Sequence, residues 1–470
     1  VNINPAYRTA EVEYALNKVD CKALVTMPRF KTSDYIGMLR ELAPEWAHAK
    51  AGEPLESQTL PHLKHAIWID VAGEGADEPG FMRFSDLIQR GDPADERVAR
   101  IARLLHPRDP INVQFTSGTT GFPKGATLTH RNILNNGFFI GEAMKLTHED
   151  RLCIPVPLYH CFGMVLGNLA VLTHGGCIVY PNDAFDALTV LQTVQAEKCT
   201  GLHGVPTMFI AELDHPDFAK YDLSTLRTGI MAGSPCPVEV MKRVQADMNM
   251  AEVTIAYGMT ETSPVSCQSS TDTPLDKRVS TVGLVQPHLE IKIIDPDSGQ
   301  TVPRGATGEL CTKGYSVMQG YWGDDARTRE AIDAEGFMHT GDLATMDDEG
   351  YVNIVGRIKD MVIRGGENVY PREIEEFLYR HPQIQDVQVV GVPDQKFGEE
   401  LCAWIIAKPG QTLDEAGVRE FCKGKIAHYK VPRYMKFVDA FPMTITGKIQ
   451  KFRIRELMQE ELGLSEQKTA

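Results

Sequence analysis

Short apolar runs alternate with amphipathic stretches over the first two thirds of the chain. The runs at 66–71, 111–115, 177–180 and 253–257 read as strands. Apolar residues at three- and four-residue intervals over 185–197 and 237–248 predict helices between such runs. Alternating strand and helix signals imply an α/β fold with largely parallel sheets. From 289 to 355 the pattern changes. Strand-like runs at 289–294, 308–312 and 351–355 are separated by Gly, Pro and Asp turns without helices, which predicts a β-rich subdomain over about 285–355. Beyond Gly356-Arg357, strands at 387–392 and 401–407 are flanked by helical patterns at 371–380 and 413–427. The expected organisation is a large domain, 1–356, and a small α+β C-terminal domain, 357–470.

One stretch tests for a membrane span. Residues 152–182 contain no Asp, Glu, Lys or Arg, which is long enough to cross a bilayer. Pro155, Pro157, His160, His174 and the pair Gly175-Gly176 break a helix there and demand polar partners. A buried strand, a loop, a short buried helix and another strand are expected instead.

Composition narrows the class. The 470 residues suggest about three domains or subdomains, enough to bury a core without disulfide or metal staples. With 43% hydrophobic and 24% charged residues, disorder, collagen and coiled coil are excluded as whole-chain descriptions. A net charge of −15 argues against nucleic-acid binding over the whole surface. The charge is uneven, because residues 357–470 carry 18 basic and 17 acidic side chains. Residues 423–455 hold nine basic side chains and one acidic, Asp439; a solvated face and an anionic ligand both explain such a cluster. The ten cysteines include no C-x-x-C pair, against zinc and thioredoxin-like sites. Cys153, Cys177 and Cys402 lie in apolar runs and read as buried small hydrophobes of a reducing compartment. No signal peptide or peroxisomal address is visible.

The strongest chemical signal is Thr116-Ser117-Gly118-Thr119-Thr120-Gly121-Phe122-Pro123-Lys124-Gly125, directly after the apolar run 111–115. Glycines let backbone N–H groups approach an anion, while hydroxyls and Lys124 add donors and charge. The composition suits a polyphosphate. It is neither a Walker A loop, since Pro123 stands where the second Gly would be, nor a dinucleotide fingerprint.

This segment resembles the phosphate loop of the adenylate-forming superfamily, which joins acyl-CoA synthetases, peptide-synthetase adenylation domains and firefly-type luciferases. Further segments agree in order. Tyr257-Gly258-Met259-Thr260-Glu261 is similar to the adenine and magnesium motif. Gly308-Glu309-Leu310 opens a segment running to Gly320-Tyr321-Trp322, and His339-Thr340-Gly341-Asp342 is similar to the ribose motif. Gly356-Arg357-Ile358-Lys359-Asp360 is similar to the hinge and Gly447-Lys448 to the catalytic lysine motif. The match begins partway into the family's large domain, with Val1-Asn2-Ile3-Asn4-Pro5 resembling the end of an early motif, so the family's first segment is expected to be absent.

The resemblance implies roles that the side chains can perform. Thr116, Ser117, Gly118, Thr119, Thr120, Gly121 and Lys124 would hold the phosphates of ATP, and Lys448 would bridge carboxylate and phosphate. Glu261 is a hard oxygen ligand suited to Mg²⁺. Tyr257 with Gly258, Met259 and Thr260 would line one face of adenine, and Gly233, Ser234 and Pro235 the other. Asp342 can accept from ribose hydroxyls, and Arg357 can reach ribose or phosphate through its fork. His160 would lie beside the acyl carboxylate, with Phe162, His203, Gly204 and Val205 walling the acyl pocket. The apolar company of Met164, Leu166 and Met208 favours an aliphatic acid over an amino acid, whose ammonium needs a buried charge partner. Gly365, Gly366 and Glu367 would line a pantetheine channel, and Lys359 would be the pivot of a mobile small domain.

The expected protein is therefore an ATP-, Mg²⁺- and coenzyme A-dependent ligase of the medium-chain acyl-CoA synthetase type. Its partners would be a carboxylic acid, ATP and CoA, with no nucleic acid and no transmembrane span; a homodimer stays open. The cytoplasm is the expected location, or the mitochondrial matrix if a transit peptide was removed. Two alternatives stay open: an adenylating enzyme that loads a carrier protein or acts as a luciferase-like oxygenase, and a catalytically silent nucleotide-binding protein.

Overall fold

The computed structural model describes residues 1–69, 78–116, 123–234, 236–364, 367–394, 396–444 and 448–464. Two compact units emerge. One comprises Val1–Arg131 with Met318–Glu330, the other Asn132–Val317 with Ala331–Ala470.

The first unit has a parallel sheet of Ala23–Thr26, His65–Trp68 and Phe81–Arg83. Leu16, Leu39, Trp46, Leu60 and Trp68 form its core. A second, antiparallel sheet joins Pro110–Thr116 to Lys124–Thr129 and then to Gly320–Tyr321. The expected strand at 111–115 is thus one arm of a hairpin whose partner opens at Lys124.

The second unit is organised by a seven-stranded sheet. Cys177–Val179, Arg151–Cys153, Gly201–Gly204, Thr228–Ala232 and Glu252–Gly258 run parallel; Val265–Gln268 and Leu284–Val285 complete it antiparallel. Every residue of Gly201–Gly204 and Thr228–Ala232 is buried, as expected for parallel strands covered on both faces. The strands approach so closely that a Cβ on Gly229 would lie 1.9 Å from the Leu202 carbonyl oxygen. Helices Ala187–Glu197, Pro206–Leu213 and Val238–Asp247 supply Val190, Leu191, Val194, Phe209, Met241 and Val244 to the core.

The uncharged stretch folds as its breakers imply. Strand Arg151–Cys153 leads to a π-helical segment, Phe162–Leu169, which continues as the α-helix Ala170–His174. Gly175, in the left-handed region at φ 71°, ends that helix before strand Cys177–Val179. Among the described residues no helix is long and apolar enough to cross a membrane.

A four-stranded antiparallel sheet, Leu289–Ile294, Gly308–Gly314, Met338–Met346 and Val352–Arg357, forms the β-rich part. The expectation that no helix interrupts it needs correction. Asp325–Ala331 is helical, and Asp324 accepts from the Arg327 N–H in its first turn. The C-terminal part has a five-stranded sheet in which Ile384–Asp394 and Gly398–Ala407 pair along their whole length. Helices Pro371–Leu378, Glu415–Cys422 and Lys451–Leu462 supply Ile374, Leu378, Val418, Cys422, Ile454 and Met458 to its two hydrophobic clusters. All ten cysteines are free thiols; Cys153 and Cys402 are buried and Cys177 is half-buried.

Candidate active site

Three adjacent parallel strands of the second unit end side by side, at His203-Gly204, Ala232-Gly233 and Tyr257-Gly258. The carboxyl ends of such strands are where open α/β sheets bind ligands. Gly258 is required there, since a Cβ would meet the Pro264 carbonyl oxygen at 1.7 Å. Gly233 follows Ala232 at φ +92°, and a Cβ on it would lie 3.1 Å from Val205 Cγ1, 3.6 Å from Lys448 Cε and 4.0 Å from Phe162 Cδ1. Four residues singled out separately in the sequence therefore meet at one point.

Tyr257 donates its hydroxyl hydrogen bond to Asp342 Oδ2 at 2.7 Å, and Arg357 Nε donates to Asp342 Oδ1 at 3.2 Å. Asp342 and Arg357 face each other across adjacent strands. Burial raises the Asp342 carboxyl above its ordinary range, opposed by the Arg357 charge and the Tyr257 hydroxyl. Burial and the Asp342 charge together push the Tyr257 phenol well up. Both oxygens of Asp342 thus have donors, although the Arg357 side chain is 67% exposed.

Lys448 lies within the field of the same groups. Its ammonium is destabilised by burial and by Arg357, and favoured by Cys161, Glu261 and Asp342, so its pKa falls below the usual lysine range. Its backbone is tied to Thr444: Thr444 N donates to Lys448 O at 2.7 Å and Lys448 N to Thr444 Oγ1 at 3.1 Å. Glu261 is buried in the turn Thr260–Thr262 that follows Met259. A buried carboxylate offers the hard oxygen ligands that suit Mg²⁺.

The imidazoles of His160 and His203 are both held neutral. Burial, with the Lys448 charge, lowers His160 to about 3. Its Nδ1 accepts from Phe162 N at 3.1 Å, at the start of the π-helical segment. Burial lowers His203 to about 4. His203 Nδ1 accepts from Ile230 N at 3.1 Å, so the proton sits on Nε2, 3.0 Å from the Leu166 carbonyl. The Phe162 and His203 rings lie 5.6 Å apart. Gly204 leaves room for Phe209, whose ring would be 2.9 Å from a Cβ there.

In the first unit, Thr116 pairs with Lys124 across the hairpin. Lys124 Nζ donates to Tyr321 Oη at 3.3 Å and lies 4.6 Å from that ring's centroid. Ser117, Gly118, Thr119, Thr120 and Gly121, with Pro235, Gly365 and Gly366, lie outside the described residues. Ser234 is half-buried, and Glu367 is exposed at the start of strand Glu367–Val369. Lys359 is exposed in the turn Ile358–Asp360, directly after Arg357.

Sequence reasoning gave no role to Cys161, Glu309 or His339. Cys161 is completely buried beside Glu261 and Lys448. Glu309 and His339 each sit inside a segment that was recognised, but only pairing across the sheet makes them neighbours.

The site and its fold define an adenylate-forming enzyme. Residues 1–322 match the family of AMP-binding enzymes and residues 373–448 match the C-terminal domain of those enzymes; the chain belongs to that family. It is 51% identical to YngI of Bacillus subtilis (strain 168), over 99% of this chain and 84% of that protein. It is 47% identical to the mitochondrial medium-chain acyl-CoA ligase ACSF2 of Danio rerio, over 99% of this chain and 76% of that one. Its fold is similar to the crystal structure of the anthranilate CoA ligase AuaEII in complex with anthranoyl-AMP. The TM-score there is 0.83, at 28% identity, covering 98% of this chain and 83% of that chain.

Proposed function

We propose that the protein is an ATP-dependent acid–CoA ligase that converts a medium-chain aliphatic acid to its acyl-CoA through an acyl-AMP intermediate. The observation that carries the reading is the convergence of Lys448, Glu261, His160 and the Tyr257–Asp342–Arg357 group at the ends of parallel strands. In the first half-reaction a carboxylate oxygen of the acid attacks the α-phosphorus, and the bond to pyrophosphate breaks. In the second the CoA sulfur attacks the acyl carbon, loses its proton and releases AMP.

Each residue has a part in this. The Lys448 ammonium neutralises charge gathering between carboxylate and α-phosphate, as a preorganised donor does best in a water-poor site. Neutral His160 positions the acid's carboxyl end without competing for that charge. Tyr257 presents its ring to adenine, with Gly258, Met259, Thr260 and, opposite, Gly233, Ser234 and Pro235. Asp342 accepts from the ribose hydroxyls and Arg357 reaches the ribose or phosphate. Thr116 to Gly121 and Lys124 hold the β- and γ-phosphates. Glu261 would hold Mg²⁺, which supplies charge neutralisation to the triphosphate when bound. Phe162, His203, Gly204 and Val205 wall an apolar acyl pocket. Gly365, Gly366 and Glu367 line the approach of CoA, and Lys359 is the hinge about which the small domain, 357–470, turns against the large one, 1–356.

An apolar pocket gains about 0.8 kcal/mol per buried CH₂, so specificity should climb with chain length to roughly six to twelve carbons and then break. A screen of CoA-dependent AMP release over acids of increasing length tests this; a maximum at acetate or at an amino acid contradicts it. The cytoplasm or the mitochondrial matrix supplies ATP, CoA and the reducing conditions that ten free thiols suit. The mass of the protein in solution reads whether it forms a homodimer.

A further inference from the structure

We infer that Glu309 is the positioning residue of the nucleotide site, a buried carboxylate that shapes the loop presenting Asp342 and so sets the enzyme's affinity for the ribose of ATP. This rests on the reading of Asp342 as the ribose acceptor.

The sheet register carries the argument. Gly308 pairs with Ala344 and Glu309 with Leu343, but Cys311 then pairs with His339. Thr340, Gly341 and Asp342 are therefore accommodated opposite Leu310 alone, as a bulge in the strand. Gly341 takes φ +69° at its tip. Such a bulge removes ladder hydrogen bonds, and its backbone needs other partners. Thr340 Oγ1 donates to the Leu310 carbonyl at 2.7 Å, and Asp342 N donates to Thr340 Oγ1 at 3.1 Å. The N–H of Gly341, at the tip, donates to Glu309 Oε1 at 2.9 Å.

The other oxygen of the same carboxylate is also used. His339 Nδ1 lies 3.0 Å from Glu309 Oε2, and a carboxylate there can only accept, so the ring donates. His339 Nε2 faces Asp333 at 3.7 Å, and Lys292 holds Asp333 at 3.3 Å. Glu309 is 8% exposed. One buried side chain thus ties His339, which precedes the bulge, and Gly341, at its tip, to the neighbouring strand. The next residue, Asp342, meets Tyr257 and Arg357. Glu309 is bonded to the backbone N–H of the residue before Asp342 and acts through that backbone.

Pyrophosphate exchange with ATP and with 2′-deoxy-ATP tests this in E309A, E309Q, E309D and D342A. A charge-assisted hydrogen bond lost from a bulge that binds ribose should raise the KM for ATP about 10- to 100-fold in E309A, with kcat within about threefold. The preference for ATP over 2′-deoxy-ATP should narrow in parallel. E309Q keeps a carbonyl acceptor for Gly341 and should recover most of both; E309D is one methylene too short and should behave like E309A. If E309A fails to fold, E309Q and E309D carry the comparison, and identical behaviour of these two overturns the inference. It is also overturned if kcat falls equally with both nucleotides while KM and preference stay unchanged, the signature of general structural support. D342A separates the two claims. If it abolishes the preference and the Glu309 variants do not, positioning alone has failed; if D342A leaves the preference intact, the ribose reading has failed and this inference with it.

Discussion

The hydroxyl of Tyr257 and the carboxylate of Asp342 are joined by a 2.7 Å hydrogen bond, so the residue proposed to stack on adenine also orients the residue proposed to hold ribose. The two come from different sheets, and the bond aligns them before any nucleotide binds. Tyr257→Phe keeps the ring and deletes the donor to a charged group, worth about 1.5–3 kcal/mol. The KM for ATP should rise roughly 10- to 100-fold with little change in kcat. Initial rates at varied ATP check this, and an unchanged KM would show that the bond does no orienting.

Lys448→Ala should slow acyl-AMP formation by on the order of 10²–10³, the usual cost of removing one positioned donor to developing charge. The use of pre-made acyl-AMP with CoA should barely change if, as proposed, the small domain has by the second step turned Lys448 away. Pyrophosphate exchange and thioester formation are measured separately. Equal damage to both would refute the assignment.

Because burial and Arg357 lower the Lys448 pKa, its ammonium is lost at a lower pH than a free lysine's. Adenylation should decline on the alkaline side before ordinary lysines titrate. Arginine keeps its charge in that range, so the residual activity of Lys448→Arg should lack this alkaline limb. A limb of the same position in both proteins would assign it to another group.

His203 is neutral in the folded protein, at about 4 against an ordinary 6.5. Between those values the unfolded chain binds more protons, so stability falls as pH falls, by up to about 1.4 kcal/mol per pH unit from this group. Above pH 7 it contributes no slope. Urea denaturation at pH 7 and pH 5 should show a smaller difference for His203→Gln than for the unaltered protein. An identical difference would mean that His203 titrates alike in both states.

Proline at 359 would fix φ and delete an N–H in the turn Ile358–Asp360. On the proposed hinge role, Lys359→Pro should retain pyrophosphate exchange and lose thioester formation, the step assigned to the turned small domain. An equal fall in both half-reactions would show that the residue is no hinge.

Much of this organisation was legible before the structure. Period and breakers announced the strand, helix and strand of 151–179, because proline and glycine pairs act locally. Tyr257, Asp342 and Lys448 could be named because each stands in an ordered segment of fixed residue types. What stayed hidden depends on register. Nothing in Gly308-Glu309-Leu310 says that Glu309 reaches Gly341, since that contact arises from a bulge opposite Leu310. The helix Asp325–Ala331 was missed because its seven residues bury no side chain and so lack an apolar stripe. The tautomer of His203 was equally invisible, being set by Ile230 N and the Leu166 carbonyl from two other elements.

One site first adenylates an acid and then passes it to CoA. The most direct measurement follows pyrophosphate and AMP separately in a single turnover with ATP and an aliphatic acid of about eight carbons, before and after adding CoA. Stoichiometric pyrophosphate should appear with acyl-AMP retained on the protein, then AMP and acyl-CoA only when CoA is supplied. AMP released at the same rate without CoA, or no pyrophosphate with any aliphatic acid, would contradict it.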